Sequence, residues 1–258
     1  MPENERGGTP VNRPRLLVEP TFDRCVAQAG GKRLEDYISG ELRFLNADYI
    51  FPDENIVAEL KVLEKDVLST PGFQDKISEL YDGWTQSGLV PPAYRRGRID
   101  TSTLPTECAV ELIGLFKSQL TNSYIKKANR QIRETKEHLE LPDARGVLLL
   151  ANDGNFAFDP AFMFNVLHHS LHKTFHSIDA VIYFTANLMV TTPRSPNGAL
   201  FWAHVAIQGR PKIEAAFESR LRSSWLSVVE SETGRRPTEL VEDKLTPEII
   251  DQMRFKSP

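Results

Sequence analysis

The chain has 258 residues, of which 40% are hydrophobic and 26% charged, with a formal net charge of −4. That is enough apolar side chain for one large domain or two small ones with a true core, and no global basic field marks a nucleic-acid binder, so any such site has to be a local patch. Cys25 and Cys108 form neither a disulfide framework nor a CxxC pair, no apolar run reaches the ~20 residues of a membrane helix, and "MPENERGGTPVNRPR" lacks a signal-peptide core, so a reduced, cytoplasmic setting with no membrane is expected.

Residues 1–14 read as a flexible lead-in. "EPTFDRCVAQAG" predicts a short helix capped by Thr21 and closed by Gly30, and "KRLEDYIS" adds a turn or two. Two apolar runs flank "PDEN", so 48–52 and 55–62 should pair as a hairpin. Residues 64–90 read as helical and "PPAYRRGRIDTSTLP" as a loop. From 107 to 141 one long helix is expected, because Leu112, Phe116, Leu120, Tyr124, Ala128, Thr135 and Leu139 recur at near-helical spacing until Pro142. "RGVLLLAN" (145–152), "DAVIYFTAN" (179–187) and "ALFWAHVAI" (199–207) read as strands, with helices at "DPAFMFNVLHHSLHKTFHS" and "PKIEAAFESRLRSSWLSVV". Residues 230–258 read as a polar C-terminal segment, mobile over 230–244, with a short helix after Thr246-Pro247. The sum is a single α/β domain over residues 15–229, a mixed central sheet flanked by helices.

The hairpin carries the chemistry. With Asp53 and Glu54 as the central turn residues, Pro52 faces Asn55 and, counting outward, Asp48 falls opposite Glu59. Directly opposed side chains share a face, with Cβ atoms ~4.5–5.5 Å apart. Lys61 lies two residues beyond Glu59 and shares that face, while Ile56, Ala58, Leu60 and Val62 make the other face apolar. The hairpin should bury the apolar face and present Asp48, Glu59 and Lys61 on the other, with Asp53 at the tip. A one-residue slip would turn Asp48 away. Two carboxylates so close repel each other, and burial raises their pKa values. A hard divalent cation removes the conflict, since Mg²⁺ takes one or two carboxylates together with waters and substrate phosphate. Lys61 then sits where it can neutralise a phosphate or hold an attacking water, which suits metal-assisted phosphodiester cleavage.

An Asp on one strand followed by Glu-x-Lys on the next resembles the PD-(D/E)xK nuclease superfamily, which includes restriction endonucleases and Holliday-junction resolvases. The match is Asp48 and then Glu59-Leu60-Lys61, with Ala47 where the family often has Pro. The literal Pro52-Asp53 lies at the hairpin tip, roughly 13–20 Å from Glu59 at ~3.3 Å per residue, and is not the match. The resemblance covers about residues 32–152 and extends to the strand at 179–187. It implies a restriction-endonuclease-like core and an Mg²⁺- or Mn²⁺-dependent endonuclease acting on DNA. Asp48, Glu59 and the Leu60 backbone carbonyl would hold the metal, and Lys61 would orient or activate the water. Many members add a Gln on the helix before the next strand, here Gln131, which lies near the inward stripe between Ala128 and Thr135. The family's first-helix acid is matched by Glu35, with Glu41 as the alternative.

Other features compete for attention. Glu-x-Lys also occurs at Glu134/Lys136 and Glu242/Lys244, in a helix and a polar tail where a solvated surface explains it. Lys126, Arg130 and Arg133 make an i, i+4, i+7 stripe beside Gln131 that could contact phosphates or, with an Arg130–Glu134 pair, be a solvated face. Arg95 and Arg96 in "RRGR" could form a DNA-facing arm or a plain loop. His168, His172 and His176 share a helix stripe, but the outer two are ~12 Å apart at 1.5 Å per residue, too far for one ion. Walker A, GxGxxG and GxSxG motifs are absent. Cutting both strands of a duplex asks for two copies of such a site, so a homodimer goes with that substrate, although no dimer face is marked. The rival to a nuclease is a catalytically inactive nuclease-fold scaffold or interaction module.

Overall fold

The computed structural model describes residues 15–38, 44–91, 103–171, 174–193, 195–241, 249 and 252–256. In chain order the elements are α1 (Val18–Gln28), β1 (Lys32–Arg33), α2 (Leu34–Tyr37), β2 (Tyr49–Phe51), β3 (Ile56–Leu63), α3 (Pro71–Gln86), α4 (Thr106–Leu120) and α5 (Lys126–His138). Then follow β4 (Arg145–Asn152), α6 (Pro160–Ser170), β5 (Ala180–Thr185), β6 (Met189–Thr192), β7 (Ser195–Ala206), α7 (Ala215–Thr233), β8 (Glu239–Val241) and β9 (Arg254–Lys256). The strands form one nine-stranded sheet in the order β1-β2-β3-β4-β5-β7-β6-β9, with β8 alongside β7. The sheet is mixed: β3, β4 and β5 run parallel, the hairpin and the β5–β7–β6–β9 side antiparallel.

Helices cover both faces. On one, α1 and α7 pack Phe22, Phe217 and Trp225 against Ile56, Ala58 and Leu60 of β3 and the matching residues of β4 and β5. On the other, α5 and α6 pack Ala128, Ile132, Met163 and Leu167 over Val57, Leu63, Leu148 and Leu150. This explains the continuous burial of β4, whose apolar run lacks period two because neither face meets water. A smaller apolar cluster joins α3 and α4 through Tyr81, Trp84, Cys108 and Leu112. No helix among the described residues is long and apolar enough to cross a membrane.

Local chemistry places the ends of the elements. Pro160 opens α6 behind Asp159, whose carboxylate accepts from the Phe162 N–H at 2.8 Å. Gly234 ends α7 in the left-handed conformation, φ 69°. Thr21 is not the cap of α1; it lies inside the helix, which starts after Leu17. The helix expected over 107–141 is interrupted by a π turn at Thr121–Ile125, which rephases the buried stripe from Cys108, Leu112 and Leu120 to Ile125, Ala128, Ile132 and Thr135. α6 ends at Ser170 and His176 lies in a turn beyond it, so the expected helix does not reach His176; His172 lies outside the described residues. The described part of 230–258 joins the fold: 230–233 finish α7, β8 pairs with β7, and β9 pairs with β6. The short helix after Pro247, apart from Ile249, and the lead-in 1–14 lie outside the described residues.

Gly146 in β4 fixes how closely α5 and the 177 segment approach the sheet. An added Cβ would fall on the Ser177 carbonyl oxygen and lie 2.8 Å from Ile132 Cγ2. The backbone oxygen cannot swing aside, so Gly146→Ala is expected to destabilise the fold by about 1–3 kcal/mol or more. Urea denaturation of the purified variant checks this, and unchanged stability would refute that packing.

Candidate active site

The hairpin register is the one the turn dictates. Tyr49 pairs with Ala58, Ile50 with Val57 and Phe51 with Ile56, and the Asn55 N–H donates to the Pro52 carbonyl at 3.2 Å. One pair further, Asp48 stands opposite Glu59, and Asp53 is exposed at the tip. Asn55 adopts φ 52°, a left-handed conformation that Asn tolerates in turns. The Leu60 N–H points toward the β2 side, where it donates to Asp48 Oδ2 at 2.8 Å. Since directions alternate along a strand, Glu59 is a non-hydrogen-bonded position, where opposed side chains come closest.

The face bearing these groups is not open to solvent, contrary to the sequence expectation, because α5 covers it. Glu59 is fully buried and the Lys61 side chain is 14% exposed. Lys61 Nζ ion-pairs with Glu59 Oε1 and donates to Gln131 Oε1 at 3.0 Å. Gln131 in turn donates from Nε2 to the Asn46 carbonyl at 2.8 Å, and the Ala47 N–H donates to Thr135 Oγ1 at 2.8 Å. The Asp48 carbonyl accepts from the Leu34 N–H at 2.8 Å. Residues 46–48 are thus anchored from α5, β3 and α2 together, and this anchoring aims the Asp48 carboxylate at Glu59.

The electrostatics follow from burial. Glu59 is pushed up to about 8, first by burial and then by Asp48, with Lys61 pulling the other way. Asp48 is also raised, chiefly by burial, against the Leu60 N–H and Lys61. Glu59 Oε2 is buried without a hydrogen-bond partner. Near neutral pH and without a cation, the pair therefore retains a proton.

A cavity of about 290 Å³ opens beside this cluster. Asp48, Glu59, Leu60, Lys61 and Gln131 line it from the hairpin and α5, and Glu35 lines it from α2, ion-paired with Arg33. Glu19 and Asp23 of α1, Tyr49 and Lys127 also line it. Sequence reasoning missed these four. The i, i+4 spacing of Glu19 and Asp23 put them on one helix face, but nothing local told which face met the hairpin. Asp23 accepts from the Tyr49 hydroxyl at 2.8 Å and lies 3.8 Å from Arg33.

The expected phosphate stripe does not line the cavity. Lys126, Arg130 and Arg133 are exposed on α5; Lys126 donates to Asn122 at 2.6 Å, Arg130 pairs with Glu134 at 2.6 Å and Arg133 with Glu137 at 3.7 Å. Arg95, Arg96 and Glu41 lie outside the described residues. His176 is exposed and beside Arg210.

No group of three or more His, Cys, Asp or Glu arranged to hold a metal occurs among the described residues. What the cluster offers is two carboxylates, one with an orphaned oxygen, and the Leu60 carbonyl, which points to the same side as its N–H, beyond the last β2–β3 pair. That all-oxygen set fits a hard cation that completes its shell with water and phosphate, and not the N/S set of a zinc site. Comparison with known proteins returns no match among family models, curated proteins or solved structures.

The pH dependence of stability tests this electrostatic arrangement. A carboxyl raised on folding stabilises fully below its ordinary value of 4.5, and that contribution is lost as pH rises through about 8. Without divalent cations, wild-type stability should fall across that window, and Glu59→Gln should flatten the slope. Urea titrations from pH 4 to 9 read both, and matching slopes would mean that Glu59 is not held as the neutral acid.

Proposed function

We propose that the protein is a metal-dependent nuclease of the PD-(D/E)xK kind, with a restriction-endonuclease-like core, and that it hydrolyses phosphodiester bonds in DNA. The observation carrying this reading is the convergence of Asp48, Glu59 and Lys61, from a hairpin, with Gln131, from α5, on one cavity. Asp48, Glu59 and the Leu60 carbonyl would hold Mg²⁺ or Mn²⁺. When bound, the ion supplies Lewis-acid stabilisation of charge on the phosphoryl oxygens.

The chain's own groups do the rest. Lys61 Nζ is held by Glu59 and Gln131, so its ammonium has a fixed position from which to orient the attacking water or steady the phosphate. Asp48 is fixed by the Leu60 N–H and does not have to be reoriented when substrate enters. Glu59 must give up its proton to serve as a ligand, so cation affinity should rise with pH toward about 8. The other reading, an inactive nuclease-fold scaffold, draws on one observation: no third acidic ligand joins the pair among the described residues.

A cleavage screen of plasmid, linear, single-stranded and junction DNA with Mg²⁺ and Mn²⁺ separates the two. Asp48→Ala and Glu59→Ala are expected to abolish cutting and weaken cation binding measured by calorimetry. Lys61→Ala should lower the rate by about 10²-fold or more while keeping most cation affinity, since an ammonium is not a ligand. Wild-type speed in Lys61→Ala would overturn the mechanism, and a wild-type protein that binds no cation and cuts nothing would leave the scaffold.

A further inference from the structure

Of the described cations lining the cavity, only one forms no ion pair with a described residue. Arg33 is neutralised by Glu35 and lies near Asp23, and Lys61 is spent on Glu59 and Gln131. Lys127 lines the same cavity from α5, is exposed, and forms no ion pair with any described residue. Its neighbours on the outer face of α5 differ on both counts: Arg130 and Arg133 are paired with Glu134 and Glu137, and neither lines the cavity. Lys127 lies one helical turn before Gln131, so both side chains project from one side of α5. Gln131 reaches down to Lys61 at 3.0 Å, and Lys127 stands above it at the solvent end.

The charge balance gives this lysine a task. Glu19, Asp23, Glu35, Asp48 and Glu59 all line the cavity, against Arg33, Lys61 and Lys127. An entrance so rich in carboxylates repels a polyanion unless a cation stands at the mouth. An exposed ammonium on a flexible stem, ion-paired with no described carboxylate, meets a phosphate oxygen without first breaking such a pair. Arg130 and Arg133 would each have to release a glutamate.

We infer that Lys127 binds a backbone phosphate of the nucleic-acid strand at the cavity mouth and so sets where the strand enters, on the N-terminal side of Gln131 and not along the outer stripe of α5. The inference rests on the nuclease reading. It concerns binding, and Lys127 has no part in the bond-breaking step.

The test separates the two claims. In the Lys61→Ala protein with Mg²⁺, fluorescence anisotropy of labelled duplex and single-stranded DNA measures affinity without cleavage. Adding Lys127→Ala should weaken binding roughly tenfold and make the salt dependence shallower by about one unit of slope, while Lys127→Arg retains both. In the otherwise wild-type enzyme, Lys127→Ala should raise KM and leave kcat within about twofold. Arg130→Glu should shift both measures less than Lys127→Ala. Unchanged affinity and slope in Lys127→Ala, or a larger effect from Arg130→Glu, overturns the inference and leaves the nuclease standing. A protein that binds neither probe and cuts no substrate removes the nuclease reading, and this inference with it.

Discussion

Two carboxylates held side by side inside the protein govern the structure around them. Asp48 and Glu59 meet at a non-hydrogen-bonded position of a hairpin, where the backbone brings opposed side chains closest. Glu59 is fully buried there, and burial together with the neighbouring Asp48 raises its cost of ionisation, while Asp48 is raised chiefly by its own burial. An apolar pair of similar size would suit the fold at least as well, since a buried charge needs compensation that a methyl group does not. The surroundings supply that compensation: Lys61 against Glu59, the Leu60 N–H against Asp48, and Gln131 holding Lys61. The compensation is incomplete. Glu59 Oε2 has no partner, and a proton stays on the pair at neutral pH. A closed salt-bridge network would leave no such lone pair unmet.

The opening beside this pair is a gap in the sheet. β2 stops pairing at Tyr49, whereas β3 runs on from Ala58 to Leu63. Beyond Ala58 the β2-facing edge of β3 has no strand beside it, so its polar groups must find other partners. The Asp48 carboxylate takes the Leu60 N–H where a backbone carbonyl would otherwise have done so. Had β2 begun two residues earlier as regular strand, backbone would occupy the space that the cavity now holds. The anchors on residues 46–48, from Thr135, Gln131 and Leu34, hold the chain away from that path.

Much of this was legible because it is local. A two-residue turn within "PDEN" fixes the register, and the period of two in Ile56–Val62 fixes which side chains share a face. Gln131 could be placed by its distance from Ala128 and Thr135 on a 3.6-residue repeat, and β4 by its unbroken apolar run. What escaped depends on contacts distant in sequence. Alternation shows that β3 has two faces but not that α5 covers the polar one, so Glu59 read as presented when it is buried. α1 brings Glu19 and Asp23 to the cavity through packing of Phe22 against Tyr49 and Trp225, which no spacing within α1 reveals. Glu239–Val241 read as polar tail because a three-residue strand is too short to show a period, and its pairing with Leu200–Trp202 is set by the sheet, not by its own sequence.

A charged pair near a sheet edge has a purely structural explanation, since charges on edge strands discourage pairing with another chain. That explanation accounts for Lys32 and Arg33 on β1, the outermost strand on this side, both exposed. It does not account for Glu59. Glu59 lies just past the last β2–β3 pair, but α5 covers the side chain there. A guarding charge also has to face solvent, and Glu59 has no exposure at all. Gln131 adds to the direct contact of Lys61 with Glu59. The added hydrogen bond from Lys61 to Gln131 satisfies a second donor of the largely buried ammonium and fixes its direction. The groups around Asp48 and Glu59 thus meet at one cavity, with the Lys61 ammonium held from both Glu59 and Gln131.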